Sequence, residues 1–448
     1  MIDMLKTKAV LVYDTGLFLS LTESLVGQFG RVFFYNPQWK AAFPSSLQLY
    51  IGDGIKGVER VEHFWDVVRE YRDRKQDILF CFPDIHNGDL QQQLIEMGYF
   101  VWGSRRADEI ELDRWEFKNT VLKDLNMPVQ PIHRIIGTDK LRTFLKDPKN
   151  TPCYVKVSLT RGDMESRKHF DYDASLLWIN EIEHKYGPLA QDMEFICEMP
   201  IPTTLELGGD KWNIDGKWPE ISMHGIEMKD AGYFGCVMKQ VDMPAPIKYV
   251  DDKIASVLRD YQGGGFRGKI STEIRIGKDG KFYFLDPCMR FGSPPHQIEC
   301  ALLKNLGLIM FMGAQGIMVK PEYIANYGVQ AFIYSERCDK EWLCYKYPKE
   351  LEQWYKFSFK CVVDGKTYTI PQNCGMSAMG SVVAIDNDPL KAIKKLVEYS
   401  SKLEGEGLDV RLDAILKAMK EAHEAMAKGY RFGVGYIPTL EQVAKLVI

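Results

Sequence analysis

Two carboxylates and a guanidinium fall on one hairpin-like stretch, STEIRIGKDGKFYFLDPCMRFGSPP (271–295). Glu273 and Asp286 lie on runs either side of Asp279–Gly280, a turn dipeptide between apolar segments. Cross-strand neighbours in such a hairpin approach within a few ångströms. Carboxylates that close repel unless a cation lies between them. Mg²⁺, satisfied by one or two carboxylates together with phosphate oxygens and water, suits that position. Cys288 and Arg290 follow Asp286 at every second residue, and Arg290 can grip a phosphate or carboxylate with both arms of its fork. The spacing fits a metal-bound polyphosphate. A partly exposed Glu/Asp/Arg cluster on a sheet accounts for it equally well.

A triphosphate needs cations on several sides, because charge on the transferring phosphoryl group must be neutralised all round. Lys156 interrupts the apolar strand YVKV, and a lysine in a buried strand needs a partner. Arg114 and Lys118 are four residues apart on a helix predicted over about 112–126, which MPVQP ends. Lys229 stands in EMKD. Taken singly, each is more often a solvated surface charge. Glu198 closes the strand EFICE, where it can accept ribose hydroxyls while free backbone groups of that strand pair with an adenine edge. A strand-end cap is the plainer alternative.

These residues need a framework. The first hundred residues alternate strand and helix: AVLVYD, a helical LFLSLTESLVGQFG, RVFFYN, a third strand LQLYIG, and the amphipathic VERVEHFWDVVREYRDRK. DILFCF, a helix over 88–97 and YFVWG follow. This order predicts right-handed crossovers and a doubly wound parallel sheet. Ligands of such sheets sit beyond the carboxyl ends of the strands, here near Asp14 and Pro83–Asp84, with His86 and His296 as candidate pocket residues or plain caps. Residues 152–200 read as a small α+β unit with the loop TRGDMESRK, and 200–300 as strand-rich. The last section holds the strands FKCVVDGKTYTI and MGSVVAID, then two amphipathic helices.

Composition narrows the class of protein. The chain has 448 residues, 46% hydrophobic and 26% charged, as in ordinary globular domains. A net charge of −4 gives no reason to expect a nucleic-acid or membrane-surface partner. The ten cysteines include no C-x-x-C pair of the kind a zinc or redox motif uses, so a reduced, cytoplasmic setting is expected. Neither a signal peptide nor a membrane span is expected.

The order of parts resembles the ATP-grasp superfamily: a preATP sheet, a D-R-x-x-x-K helix, a lysine-bearing strand with a loop, a hinge strand, and a carboxylate hairpin ending near R-F-G. Within it the chain is similar, over almost its full length, to the phosphoribosylamine–glycine ligase family. DGKFYFLDPCMRFGSPPHQIE resembles that family's E-F-N-A-R-F-G-D-P-E-x-Q signature, GYFVWGSRRADEIELDRWEFKNTVLKDLNMPVQP its entry to the ATP domain, and MGSVVAIDNDPLKAIKKLVEY its C-terminal strand–helix element. The resemblance implies a multidomain α/β and α+β chain of ATP-grasp fold. Its expected parts are a doubly wound parallel-sheet preATP domain (1–110), an ATP-grasp domain (111–327, with a lid at about 150–200) and a small C-terminal α+β domain (328–448).

It also implies roles. Glu273 and Asp286 would hold Mg²⁺, or Mn²⁺. Arg114, Lys118, Lys156, Glu206 and Glu198 would surround ATP, with Phe195, Ile196, Cys197 and Glu198 as the adenine hinge. Arg290 and Lys229 would serve the acyl-phosphate. The pattern departs from the family at Cys288, which replaces an Asn metal ligand, and at Asp286, which replaces a Glu. It departs again at YDTGLFLS, which lacks a Gly-rich turn, and at LTRGDMESRK, which brings Arg161, Arg167 and Lys168 where the lid is glycine-rich. Ser293–Pro294–Pro295 replaces Asp-Pro-Glu. The nucleotide end is kept in outline and the acceptor end is not. The expected function is an ATP-dependent ligase that joins a small-molecule carboxylate to an amine, releasing ADP and phosphate, with substrates other than those of the glycine ligase. The authentic ligase of purine synthesis and a degenerate ATP-binding module are the alternatives. A monomer or homodimer is expected.

Overall fold

The computed structural model describes residues 2–37, 50–158, 166–229, 231–372, 378–433 and 435–447. The chain divides into two compact units: residues 1–107, 207–272 and 288–448 form the first, and 108–206 with 273–287 form the second. The chain thus crosses between units four times. The three consecutive domains expected from the sequence follow the chain linearly, whereas the compact units do not.

The first unit begins with a parallel sheet of β1 (Ala9–Tyr13), β2 (Arg31–Tyr35), β3 (Glu59–Val61), β4 (Ile78–Cys81) and β5 (Phe100–Trp102) in the order β3-β2-β1-β4-β5. Both faces are covered. Val10 and Val12 point into a core with Leu21, Leu25, Leu306 and Ile309, and Leu11 into another with Phe33, Phe80, Phe64 and Leu94. Burial on both sides is why these strands read as continuous apolar runs. Strand order reverses between β1 and β4, so the ligand-binding crevice of such a sheet opens beside Asp14 and Asp84.

The expected third strand, LQLYIG, is corrected. Residues 47–49 lie outside the described residues, Tyr50 is irregular, and Ile51 and Gly52 are turn. The Tyr50 amide donates to Asp53 Oδ2 (2.8 Å), while Gly52, Gly54 and Gly57 all hold positive φ, which extended strands do not use. The third strand is instead Glu59–Val61, in the run read as helical, and the helix begins at Phe64.

The second unit contains an antiparallel sheet of β6 (Ile132–Ile136), β7 (Cys153–Val157), β8 (Ser166–His169) and β9 (Glu194–Glu198), in the order β6-β9-β7-β8. Helices Thr138–Lys146 and Tyr172–Tyr186 cover one face with Leu141, Leu145, Trp178, Ile179 and Ile182. The Asp171 side chain caps the longer helix by accepting from the Ala174 amide at 2.8 Å.

Further strands are β10 (Thr203–Ile214), β11 (Ile221–Met228), β12 (Gly232–Lys239), β13 (Arg267–Gly277), β14 (Phe282–Cys288), β15 (Tyr327–Tyr334), β16 (Leu343–Tyr345), β17 (Tyr355–Phe357), β18 (Lys360–Val363), β19 (Lys366–Thr369) and β20 (Ala378–Asp386). One sheet takes the order β14-β13-β10-β11-β12-β15-β20-β17, and β16-β19-β18 is a separate sheet. The predicted hairpin forms: the Gly277 amide donates to the Lys281 carbonyl (2.9 Å) around Asp279 and Gly280. Helices Pro389–Ser400 and Asp413–Ala427 match the two amphipathic runs, and a further helix, Leu440–Val447, follows them. The architecture is the expected α/β and α+β arrangement. No helix among the described residues is long and apolar enough to cross a membrane.

Candidate active site

The second unit holds most of the residues singled out by type and spacing. The helical run from Arg114 opens at Asp113, whose side chain accepts from the Glu116 amide (2.9 Å). Phe117–Val121 forms a π-helical turn, a local widening that recurs at functional sites. Phe117, packed edge-on against Phe284 of β14 at 5.4 Å between ring centroids, anchors this turn to the hairpin. Lys118 is thereby fully buried.

Its ammonium meets Glu198 Oε1 at 2.7 Å and lies 3.9 Å from Asp286 Oδ1. Lys156, one strand over on β7, meets Asp286 Oδ2 at 2.5 Å and Glu198 Oε2 at 3.4 Å. Gln130 donates to the same Glu198 oxygen (3.2 Å), and Arg114 donates to the Val157 carbonyl (2.9 Å). Two cations, Lys118 and Lys156, thus meet two carboxylates, and the Arg114 charge acts on Asp286 from nearby. Burial alone pushes the Asp286 carboxyl up, but Lys156 and Lys118 outweigh it and hold the group well below the carboxylate range. Burial lowers Lys118 despite Glu198 and Asp286. At Lys156 the same burial is overcome by Asp286 and Glu198, and its pKa is raised. Asp286 Oδ1 is buried with no hydrogen-bond donor among the described residues.

A second group of charges adjoins it in the same unit. Arg275 Nη2 contacts Glu206 Oε2 (2.9 Å) and Glu273 Oε1 (3.3 Å). Glu273 is pushed up to about 8 by loss of surrounding water and by the nearby Glu206 and Asp286 carboxylates. That repulsion is what a divalent cation relieves. No group of three or more metal-ligating side chains occurs among the described residues, so there is no all-protein cage. Mg²⁺ needs none: one or two carboxylates and a polyphosphate suffice. The orphaned Asp286 oxygen and the strained Glu273 fit one such ion.

Glu198 shares its strand with three other candidates. Phe195, Ile196, Cys197 and Glu198 belong to β9, which is paired with β6 on one side and β7 on the other. The expectation of free backbone groups on this strand is therefore corrected: its edges are taken, and both Glu198 oxygens already hold protein donors. Arg290 and Lys229 lie in the first unit. β14 ends at Cys288, so the alternation does not carry Arg290 on as strand; its Nε lies 3.5 Å from Asp84 Oδ1, at the mouth of the parallel sheet. Lys229 is exposed in the turn after β11. Of the loop cations, Arg161 lies outside the described residues, Arg167 donates to the Ala174 carbonyl, and Lys168 sits over the Phe170 ring.

In the first unit Asp14 is buried, its Oδ2 accepting from the Gly16 and Phe18 amides (2.8 and 2.9 Å). Burial, opposed by the Phe18 amide and helped by Asp84, pushes it up to about 7. His296 is buried, with its ring nitrogens 2.8 Å from the Gly292 carbonyl and 3.1 Å from Ser20 Oγ, a structural placement. His86 is exposed. Sequence reasoning missed Gln130 and Arg275. Arg275 was findable, since it lies two residues from Glu273 on one strand. Nothing marks Gln130 in MPVQP.

No protein-family model matches the sequence, and no curated protein matches it. Solved structures do. A phosphoribosylamine–glycine ligase from Thermotoga maritima superimposes with a TM-score of 0.65 at 16% identity, over 90% of this chain and 99% of that one. Biotin carboxylase from Campylobacter jejuni, solved as a β,γ-ATP complex, gives 0.61 at 14%, over 96% and 98%. The biotin carboxylase domain dimer of Hydrogenobacter thermophilus 2-oxoglutarate carboxylase, with MgADP, ADP and bicarbonate, gives 0.61 at 12%, over 98% of each. These are ATP-grasp enzymes, and the chain carries the ATP-grasp fold that its motifs resemble.

Proposed function

We propose that this chain is an ATP-dependent carboxylate–amine ligase. A substrate carboxylate attacks the γ-phosphoryl group of ATP, giving an acyl-phosphate and ADP; the amine then attacks the acyl carbon and phosphate leaves. The observation that carries the reading is the meeting of Lys118 and Lys156 at Asp286, with the Arg114 charge near and one Asp286 oxygen left without a donor. These are the cations that a polyphosphate can draw on. In a site of low dielectric such prearranged charge is worth far more than in water.

Lys156 and Lys118 would turn from the carboxylates to the phosphate oxygens, with Arg114 behind them. Asp286 and Glu273 would hold Mg²⁺, whose chemistry there is to neutralise and polarise phosphate oxygens. Glu198 and Glu206 would face the nucleotide, Glu198 after exchanging its present donors. Arg290 and Lys229 would steady the acyl-phosphate. The crevice beyond β1 and β4, lined by Asp14 and Asp84, would take the acceptor, with Asp14 standing where the glycine ligase family has a Gly-rich turn. Nine described cysteines are free thiols, which supports a cytoplasmic setting.

The test is release of ADP and phosphate from ATP across a panel of carboxylates and amines. Turnover that needs one acid and one amine together supports the reading. Nucleotide binding without turnover across the panel would leave an ATP-binding module in its place. Turnover with glycine and phosphoribosylamine would restore the authentic ligase, to which the shared fold is also suited.

A further inference from the structure

In the second unit Glu206 and Glu273 meet at one guanidinium, and the Asp286 charge acts on Glu273. Together with a polyphosphate these carboxylates carry enough negative charge for two divalent cations. Between Glu206 and Glu273 the protein has placed a cation of its own. Arg275 lies two residues beyond Glu273 on β13, and its Nη2 reaches Glu206 Oε2 at 2.9 Å and Glu273 Oε1 at 3.3 Å. Its Nε is sealed from water with no acceptor. We propose that the Arg275 guanidinium takes the place of a second divalent ion, so that the site binds a single Mg²⁺ with each nucleotide.

The inference rests on the ligase reading and adds to it the metal count and the residue that sets it. A guanidinium is permanently charged, weakly hydrated and fixed in direction, so it is a durable substitute for an ion. Its bond to Glu273 Oε1 occupies one oxygen of that carboxylate. Asp286 Oδ1 is buried without a donor among the described residues, and Arg275 occupies one Glu273 oxygen, so these two carboxylates would hold one ion. The remaining nearby donor along β14 is the Cys288 thiol, which is directed to the Arg290 carbonyl (3.8 Å) and is a poor ligand for a hard cation. Arg275 therefore acts through the carboxylates as a positioning residue.

The experiment counts Mn²⁺ bound to the full chain in the presence of a non-hydrolysable ATP analogue, read from the free-ion electron paramagnetic resonance signal. Nucleotide binding is followed separately by calorimetry. The native chain should hold one tight ion per bound nucleotide. Arg275→Met should admit a second ion with an affinity within roughly tenfold of the first, since a carboxylate pair is freed for it. Arg275→Lys should stay at one. Two tight ions in the native chain would overturn the proposal, and that reading needs no variant. A single ion of unchanged affinity in a folded Arg275→Met would also overturn it, by removing Arg275 as the cause. Absence of any nucleotide binding would instead sink the ligase reading, and this inference with it.

Discussion

The molecule contains two kinds of buried ion pair, and they differ in access. In the first unit Lys211 pairs with Asp251 and Lys269 with Glu299, all four side chains sealed from solvent. Asp210 adds a third carboxylate there, held by the Tyr233 and Ser271 hydroxyls. In the second unit Lys118 and Lys156 meet Glu198 and Asp286, with the Arg114 charge near, and the Asp286 side chain keeps 23% of its exposure. Arg275, Glu206 and Glu273 adjoin them and are also partly exposed. A sealed pair has no use for a ligand, since opening it leaves unpaired charge in a dry interior. A cluster of cations with partial access can exchange a carboxylate for an anion from solution. Burial of charge is common to both regions; access sets them apart.

That contrast can be broken by substitution. Asp286→Asn keeps shape while removing the charge, and ADP release should fall by about 10³-fold or more with the circular dichroism spectrum unchanged. Full activity would place Asp286 with the structural pairs. Lys269→Met should do the opposite, leaving Glu299 buried without its partner at a cost of about 3–5 kcal/mol in denaturant unfolding. Nucleotide affinity of the fraction that folds should be unchanged. Lys156→Met should weaken nucleotide binding by roughly 10–100-fold, the worth of one charge-assisted hydrogen bond, as measured by calorimetry.

The smallest effect lies in pH. The Asp286 carboxyl is held below its unfolded value, so its contribution to stability is present above about pH 4 and is lost as pH falls below that. Asp14 and Glu299 are each raised to about 7, so their contribution is full below about pH 4 and is lost as pH climbs towards 7. Thermal melting should therefore show an acid-side fall that Asp286→Asn reduces only in part, because Glu183 and Asp386 are also held low. Asp14→Asn should flatten only part of the decline on the neutral side, because Glu299 remains.

Much of the framework was legible in residue pattern. Continuous apolar runs such as AVLVY and ILFC gave the parallel sheet, and Asp279–Gly280 gave the hairpin. The third strand was misplaced because LQLYIG has strand composition, while three glycines and the Asp53 side chain turn the chain before Glu59. The site was legible in part. Lys156 was marked by its charge in an apolar strand, Glu198 and Asp286 by their places at strand ends, and Lys118 by its position on the helix with Arg114, and they do meet. β9 was misread because strand propensity does not say whether a strand lies at an edge or inside a sheet.

What the sequence determined by itself is the set of local choices: where strands and helices form, where turns fall, and which charged side chains lie in apolar surroundings. Those depend on neighbours within a few residues. The tertiary structure decided how the charges are shared. Lys118 and Asp286 are 168 positions apart in number, and Arg275, two residues from Glu273 by spacing, meets Glu206 only through the fold. Coulomb energy depends on distance in space and on the surrounding dielectric, and both are fixed only when the chain has packed.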